Sequence, residues 1–530
     1  MNVLMLLVDQ LAAQWLPAYG QRIVRAPRLS ELARKGVVFD SAYCASPLCA
    51  PSRSAFITGR LPSRIDVFDN AAELPASIPT LAHRLRARGY YTCLAGKMHF
   101  VGPDQLHGFE ERLTTDIYPA DLDWTPDWRR PLSDRLPWYH TMESVLNPGV
   151  CTASMQMDFD QEVAFRGARA LLDHARRRRR QPFFLVVSFT HPHDPWEIPP
   201  RYWDLYDPEE IAPPTVPAIP LAEADPHSQR LRQMCAIDEA CLSEPQIRRA
   251  RHAYFASISY VDERIGEVLD ALCLSGLERD TLIVFTADHG EMLGERGLWY
   301  KMSFFEPSAR VPLIFKLPGD PGGRRVASPV SLLDLPPTLL ELTGGRDGHG
   351  SPPDMDGVSL APLIAGGADD GKRAVFAEYL AEGVTAPALM VRKGRHKLIL
   401  CDGDPDQLYD LAADPYELVN LAADPGGAEI ARRLRAEAAM RWDPTTLAAR
   451  VLASQRDRRL ITRALREGAY APWDYQPRID ASMQYVRNRA DMYELQRLAR
   501  LDLDGGPSAE RARAAEVADT PGARGSSAAA

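Results

Sequence analysis

The sequence predicts an α/β protein: a mostly parallel central sheet flanked by helices on both faces, a smaller C-terminal antiparallel-sheet subdomain and a helical C-terminal extension. Three observations predict it. Apolar runs of strand length alternate with helical patterns up to about residue 345. From about residue 370 short strand-like pieces follow one another closely and then give way to helix. Titratable residues also follow four of the early strands, and in parallel sheets ligands bind beyond the C-terminal strand ends.

The elements follow in order. Residues 3–8 form an apolar run closed by Asp9-Gln10; with no basic leader and no small-residue cleavage site, it reads as a buried strand and not a signal peptide. Residues 27–35 are helical. Cys49-Ala50-Pro51-Ser52-Arg53 continues through Phe56-Ile57-Thr58-Gly59-Arg60. Pro51 suits a first helical turn and Gly59 a C′ position, so Cys49 sits at the mouth of a short helix. There it lies in a positive field beside a guanidinium that cannot lose its charge. A helix over 78–88 and a strand over 90–94 lead into Gly96-Lys97-Met98-His99. A helix over 161–175 ends in the basic run 176–180, a solvated helix end. The strand 183–189 leads into His191-Pro192-His193-Asp194-Pro195, and Pro-rich, acidic 207–229 reads as a long surface loop. A helix over 246–274 precedes the strand 281–286, which delivers Asp288-His289-Gly290; strand 311–315 and helix 333–342 complete the unit.

Beyond it, strand-like pieces at 374–379, 388–392 and 396–400 precede Gln407-Leu408-Tyr409-Asp410 and a helix at 428–440. The segment 444–503 is helical around an aromatic loop, Trp473-Asp474-Tyr475-Gln476-Pro477, and from Gly505 the composition is that of a disordered tail. The expected divisions are a catalytic α/β domain 1–369, an α+β subdomain 370–443, an extension 444–503 that makes oligomer contacts or closes the site, and a tail 504–530.

Bulk properties exclude several classes of function. The 530 residues are 45% hydrophobic and 25% charged, ordinary for a globular protein. A net charge of −9 argues against nucleic-acid binding. Eight cysteines without C-x-x-C spacing indicate neither a zinc site nor a disulfide framework. No apolar run is long enough for a membrane helix, and the expected location is cytoplasmic.

The residues gathered at the strand ends define a chemistry. Asp9, Asp288 and His289, with an oxidised Cys49, could surround a hard divalent cation, although each Asp could instead cap the following helix. Gln10 is a doubtful ligand and suits an outer hydrogen bond. Arg53, Lys97, His99, His193 and Lys301 are cations or donors able to clamp a tetrahedral oxyanion. Taken alone, Cys49 could equally be a buried or merely reactive thiol.

These motifs, in this order and approximate spacing, resemble the type I sulfatases of the alkaline phosphatase/sulfatase superfamily. Further stretches are similar to the choline-sulfatases within them: 69–73, 97–105, 114–121 and 473–477. The resemblance implies a sulfuric ester hydrolase in which Cys49 is oxidised to formylglycine by a formylglycine-generating enzyme. The hydrated aldehyde, on Ca2+ or alternatively Mn2+ or Mg2+, attacks sulfur. Arg53 and Lys97 neutralise charge, His193 and Lys301 bind sulfate and assist the leaving alcohol, and His99 helps expel sulfate. It implies a homo-oligomer, dimer or tetramer, acting on choline-O-sulfate. Asn70, Trp124, His140 and Glu378 would hold the substrate, and Asp491 or Asp474 would close the pocket. Aromatic faces and carboxylates suit a quaternary ammonium, which has no N–H to donate; each Trp could also be plain packing. Two rivals stand beside this reading: a phosphonate monoester or phosphodiester hydrolase of the same superfamily, and a non-catalytic binder if Cys49 stays a thiol.

Overall fold

The computed structural model describes residues 1–177, 181–344, 354–369, 371–469 and 473–478, together with 482, 487, 491 and 493. The expected tail, and Arg178–Arg180 of the basic run, lie outside the described residues.

Nine strands form the main sheet: β1 (Asn2–Val8), β2 (Val37–Tyr43), β3 (Tyr91–Gly96), β4 (Glu111–Arg112), β5 (Phe183–Ser188), β6 (Thr281–Ala287), β7 (Arg310–Lys316), β8 (Arg324–Val326) and β9 (Val330–Ser331). Their order is β8-β2-β7-β6-β1-β5-β3-β4, with β9 also on β2. β1, β5 and β6 are buried along their whole length, as their unbroken apolar runs require of strands covered on both faces. Helices α1 (Pro27–Arg34), α4 (Met155–Arg176) and α5 (Glu244–Leu274) pack together as one group. Helices α2 (Cys49–Thr58), α3 (Leu81–Ala87) and α6 (Leu335–Leu342) form the other.

Register explains why chemistry collects at one edge. β1 pairs in parallel with β6, Val8 opposite Ala287, and with β5, Leu7 opposite Ser188. β3 pairs with β5, Gly96 opposite Ser188. Asp9, Asp288, Lys97 and the 191–195 loop therefore leave the sheet side by side.

Several elements differ from the sequence expectation, the short strands β4, β8 and β9 among them. β2 was not anticipated, because Asp40 and Ser41 interrupt its apolar run at an irregularity between Phe39 and Ala42. β7 runs antiparallel to β2 and β6, an exception within the mostly parallel sheet. The 207–229 segment is not all surface: Ile211 is buried, Val216 N–H donates to Glu295, and a helix begins at Pro226.

The smaller sheet is antiparallel throughout: β10 (Ala374–Tyr379), β11 (Ala388–Lys393), β12 (His396–Cys401) and β13 (Gln407–Asp410). Leu389, Val391 and Leu398 share a second core with Leu434 of α7 (Pro425–Ala439), Trp442, and Val451 of α8 (Pro444–Arg466). Ala55 of α2 belongs to that core, so the Cys49 helix is wedged between the two units.

Candidate active site

α2 starts at Cys49 and ends at Gly59, whose φ of 74° is left-handed. Leu48 at the N-cap has no oxygen to accept from the first turn; Asn70 Oδ1 does so instead, from Ala50 N–H at 3.0 Å. Ser52 Oγ donates to the Asp288 carbonyl at 2.6 Å. The helix mouth is thus tied to the strand ends before any ligand is present.

Around Cys49 lies a fully buried charge cluster. Arg53 donates to Asp288 Oδ2 (2.7 Å), Asp9 Oδ2 (2.9 Å), Ser188 Oγ (2.9 Å) and the Lys97 carbonyl (2.5 Å). Lys97 Nζ pairs with Asp9 Oδ2. Burial opposes the Asp9 carboxylate, yet the Lys97 and Arg53 charges hold its pKa well below the usual range. Asp9, Cys49, Asp288 and His289 offer ligand atoms that all lie within 4.8 Å of one another. Cys49 Sγ is 3.2 Å from His289 Nε2. The His289 Nδ1 contact with the Gly290 carbonyl, 3.1 Å, assigns the ring proton to Nδ1 and leaves Nε2 as a lone pair facing the cluster. A donor set of two carboxylates and one neutral imidazole fits a hard divalent cation, with position 49 as a further ligand once it carries oxygen.

Beyond that cluster, Lys301 Nζ lies 2.8 Å from His193 Nε2 and donates to Gln10 Oε1 at 2.6 Å. His193 Nδ1 meets the Asp194 carbonyl at 2.6 Å, so its Nε2 accepts from Lys301. Burial, reinforced by Lys301, lowers the His193 pKa well below its ordinary value and keeps the ring neutral. Against burial, the Cys49, Asp194, Asp9 and Glu291 charges raise that of Lys301 and keep it protonated. Gln10 donates its amide to Glu291 at 2.6 Å and to Asp194 at 3.3 Å. Its side chain is therefore spent on holding Lys301, the outer role the amide suits. His140, His193 and Asp194 form a second group at ligand spacing, but Lys301 already occupies the His193 lone pair.

His99 is 2% exposed and neither ring nitrogen has a hydrogen-bond partner. Asp116 fixes its backbone, accepting from Met98 N–H (3.0 Å), His99 N–H (2.9 Å) and Arg112 (2.6 Å). Gly96, at φ 104°, is required here: a Cβ would stand 1.9 Å from the Ser188 carbonyl oxygen. Gln10, His99, Tyr300 and Met302 all have left-handed backbone, at φ 64°, 55°, 65° and 73°. Such strain costs about 1–3 kcal/mol per residue and persists only where surrounding contacts over-determine it.

An aromatic wall continues outward from His99. Trp124 meets it edge-on, with ring centroids 5.8 Å apart, and stacks on Trp138 at 6.4 Å. Tyr118, which sequence reasoning did not single out, lies 5.1 Å from both His99 and Trp124 and 3.4 Å from the His193 ring nitrogens, with Lys97 Nζ 4.0 Å above its face. His140 lies against Tyr300, 4.6 Å between centroids, and its pKa is lowered well below the ordinary value by burial and then by Lys301.

The remaining expected substrate residues have these surroundings. Glu378 is buried, and its carboxylate accepts from Ser63 N–H (2.7 Å), Ser63 Oγ (2.6 Å) and Trp442 Nε1. Four residues on, Glu382 is 2% exposed with Oε2 unpartnered. Burial, with Asp69 adding and Lys301 subtracting, pushes its pKa up to about 7. Asn70 spends its oxygen on the helix cap. Asp491 is exposed, whereas Asp474 Oδ1 accepts from Ala120 N–H at 3.1 Å, near the aromatic wall. All eight cysteines are free, as their spacing implies, and no helix among the described residues is long and apolar enough to cross a membrane.

Comparison with known proteins agrees with this geometry. The Sulfatase family matches residues 1–345, the N-sulphoglucosamine sulphohydrolase C-terminal family residues 294–441, and the choline sulfatase enzyme C-terminal family residues 449–501. The chain is 49% identical to a choline-sulfatase of Rhizobium meliloti, over 93% of this chain and 97% of that protein. It is 31% identical to human iduronate 2-sulfatase, over 69% and 68% of the two chains. Its fold is similar to a phosphonate monoester hydrolase of Agrobacterium radiobacter, with a TM-score of 0.67 and 26% identity over 85% of this chain and 96% of the other. With a buried metal-type cluster, an oxyanion clamp and a family match over residues 1–345, this chain belongs to the sulfatase family.

Proposed function

We propose that the protein hydrolyses choline-O-sulfate to choline and sulfate, using a nucleophile made from Cys49. One observation carries this reading. Trp124 stands one ring from His99, the unpartnered histidine at the oxyanion site, so a small ester can rest its sulfate on the clamp and its cation on the aromatic wall. The 49% identity to a choline-sulfatase and the match over the extension support it.

Asp9, Asp288, His289 and position 49 would hold the divalent cation, most simply Ca2+, whose charge stabilises the developing anion. Oxidation of Cys49 by a formylglycine-generating enzyme would supply a hydrated aldehyde as nucleophile. The chain does the rest. Arg53 is fixed by four acceptors and presents its charge without reorganisation. His193 Nε2 accepts from Lys301 and orients it, so that protonated Lys301 can donate to a sulfate oxygen and supply a proton to the departing alcohol. That proton matters because an aliphatic alkoxide is a poor leaving group. His99, free at both nitrogens, can accept a proton from position 49. Trp124 and His140 are assigned to the cation-binding half of the pocket, with Glu378 or the nearby Glu382 as its carboxylate.

A phosphonate monoester hydrolase is the second reading, favoured by the structural likeness to the Agrobacterium radiobacter enzyme. The catalytic cluster cannot separate the two readings; the aromatic wall does. The test is a side-by-side assay of choline sulfate, an aryl sulfate and a phosphonate monoester on enzyme whose Cys49 conversion is verified by mass spectrometry. Choline sulfate should give the highest kcat/KM. Converted enzyme that prefers the phosphonate would overturn the proposal.

A further inference from the structure

We propose that Arg458, contributed by the C-terminal extension, is the positioning residue that holds the cation-binding wall in place against the nucleophile helix. This rests on the choline-sulfate reading above. Arg458 is 8% exposed and donates to both carboxylate oxygens of fully buried Asp69, at 2.6 and 2.7 Å. The same Nη1 donates to Thr125 Oγ1 at 3.2 Å, and Thr125 is the neighbour of Trp124. Asp69 precedes Asn70, the residue that caps α2 at Ala50, next to the nucleophile position. One guanidinium therefore joins the Trp124 loop to the frame that carries Cys49.

The neighbouring contacts act in the same direction. Gln455, three residues earlier and on the same face of α8, accepts from Trp128 N–H at 3.0 Å. Trp128 Nε1 donates to the Ala381 carbonyl at 2.6 Å, beside Glu382. Between the loop and α8 lies a cavity of about 900 Å³ lined by Leu122, Trp124, Trp138, Leu452, Arg459 and Arg463. Side-chain packing alone does not fill that space, so polar ties across it decide where Trp124 sits. The Ala50 N–H bond to Asn70 that caps the helix does not involve Arg458, whereas Asp69 Oδ1, which accepts from Ala71 N–H (3.0 Å), is an oxygen that Arg458 also binds. Losing Arg458 should therefore release the wall and spare the nucleophile.

The bidentate fork cannot be copied by a lysine, and removing the guanidinium leaves Asp69 buried and unpaired. The experiment compares Arg458→Ala, Arg458→Lys and Thr125→Val with the unmodified enzyme on choline sulfate and on an uncharged aryl sulfate, alongside Tm and Cys49 conversion. The expected result for Arg458→Ala is a KM for choline sulfate raised by about tenfold or more, with kcat and the aryl sulfate kinetics changed less than about threefold. Thr125→Val should show the same selectivity more weakly, and Arg458→Lys should lie between. Equal losses on both substrates, or no loss, would overturn the proposal. If Arg458→Ala does not fold, Thr125→Val and Arg458→Lys decide, and absence of selectivity in both sinks it. An unmodified, converted enzyme that leaves choline sulfate untouched would instead bring down the functional reading itself, and this proposal with it.

Discussion

The charge cluster at the strand ends and the aromatic wall beside it are built on opposite plans. In the cluster every group is buried and the central charges are shared: Arg53 alone has four acceptors, and Asp9 is held by both Arg53 and Lys97. In the wall the contacts are ring against ring, Trp124 is only half-buried, and Glu382 keeps a free oxygen. The cluster is rigid because bare charges in a dry site must be paired. The wall is held from outside, by the extension, and can change without disturbing the chemistry. Reaction type belongs to the first region and substrate choice to the second.

Substitutions can break this division where it matters most. Cys49→Ala should lower turnover of every substrate by at least about 10³-fold, because losing the nucleophile removes most of what the other groups act on. Tm should hardly move, and near-normal activity would end the nucleophile assignment. Arg53→Ala strands Asp9 and Asp288 without their buried partner and should cost about 3–5 kcal/mol in denaturant unfolding. A change under about 1 kcal/mol would show that Lys97 and the cation site suffice.

In the wall, Trp124→Ala should raise KM for choline sulfate by up to about 30-fold, the equivalent of a desolvated cation–π contact of about 2 kcal/mol, and leave an aryl sulfate little affected. Equal effects would make Trp124 ordinary packing. The smallest effect is a pH limb. Glu382, with its pKa raised to about 7, carries charge only above that pH. As pH falls through about 7, kcat/KM for choline sulfate should drop while that for an uncharged ester does not. Glu382→Gln should erase this limb, and a limb that survives in the variant would assign it elsewhere.

The same division governs what could be read in the sequence. Asp9, Asp288, Lys97 and His193 were legible because each follows an apolar run, and parallel register does the gathering. Cys49 was legible because Pro51 and Gly59 frame its helix. The wall depends on contacts between distant segments. Nothing local distinguishes Glu378 from Glu382; that Ser63 and Trp442 bond the first while the second keeps Oε2 unpartnered depends on contacts between distant segments. Asn70 likewise found a partner in Ala50, and Tyr118 entered the site only through the meeting of three loops. Strand β2 was hidden by Asp40 and Ser41, which break its apolar pattern at a bulge.

In the proposed reading the outer pocket selects a positive charge. The most direct measurement compares kcat/KM for choline sulfate with that for 3,3-dimethylbutyl sulfate, its neutral carbon isostere, on the same converted enzyme. Shape is nearly unchanged between the two; because the ammonium also makes choline the better leaving alcohol, the comparison is read in KM. The account predicts a preference for choline sulfate of about tenfold or more, carried mainly by KM. Equal KM values for the two esters would contradict it.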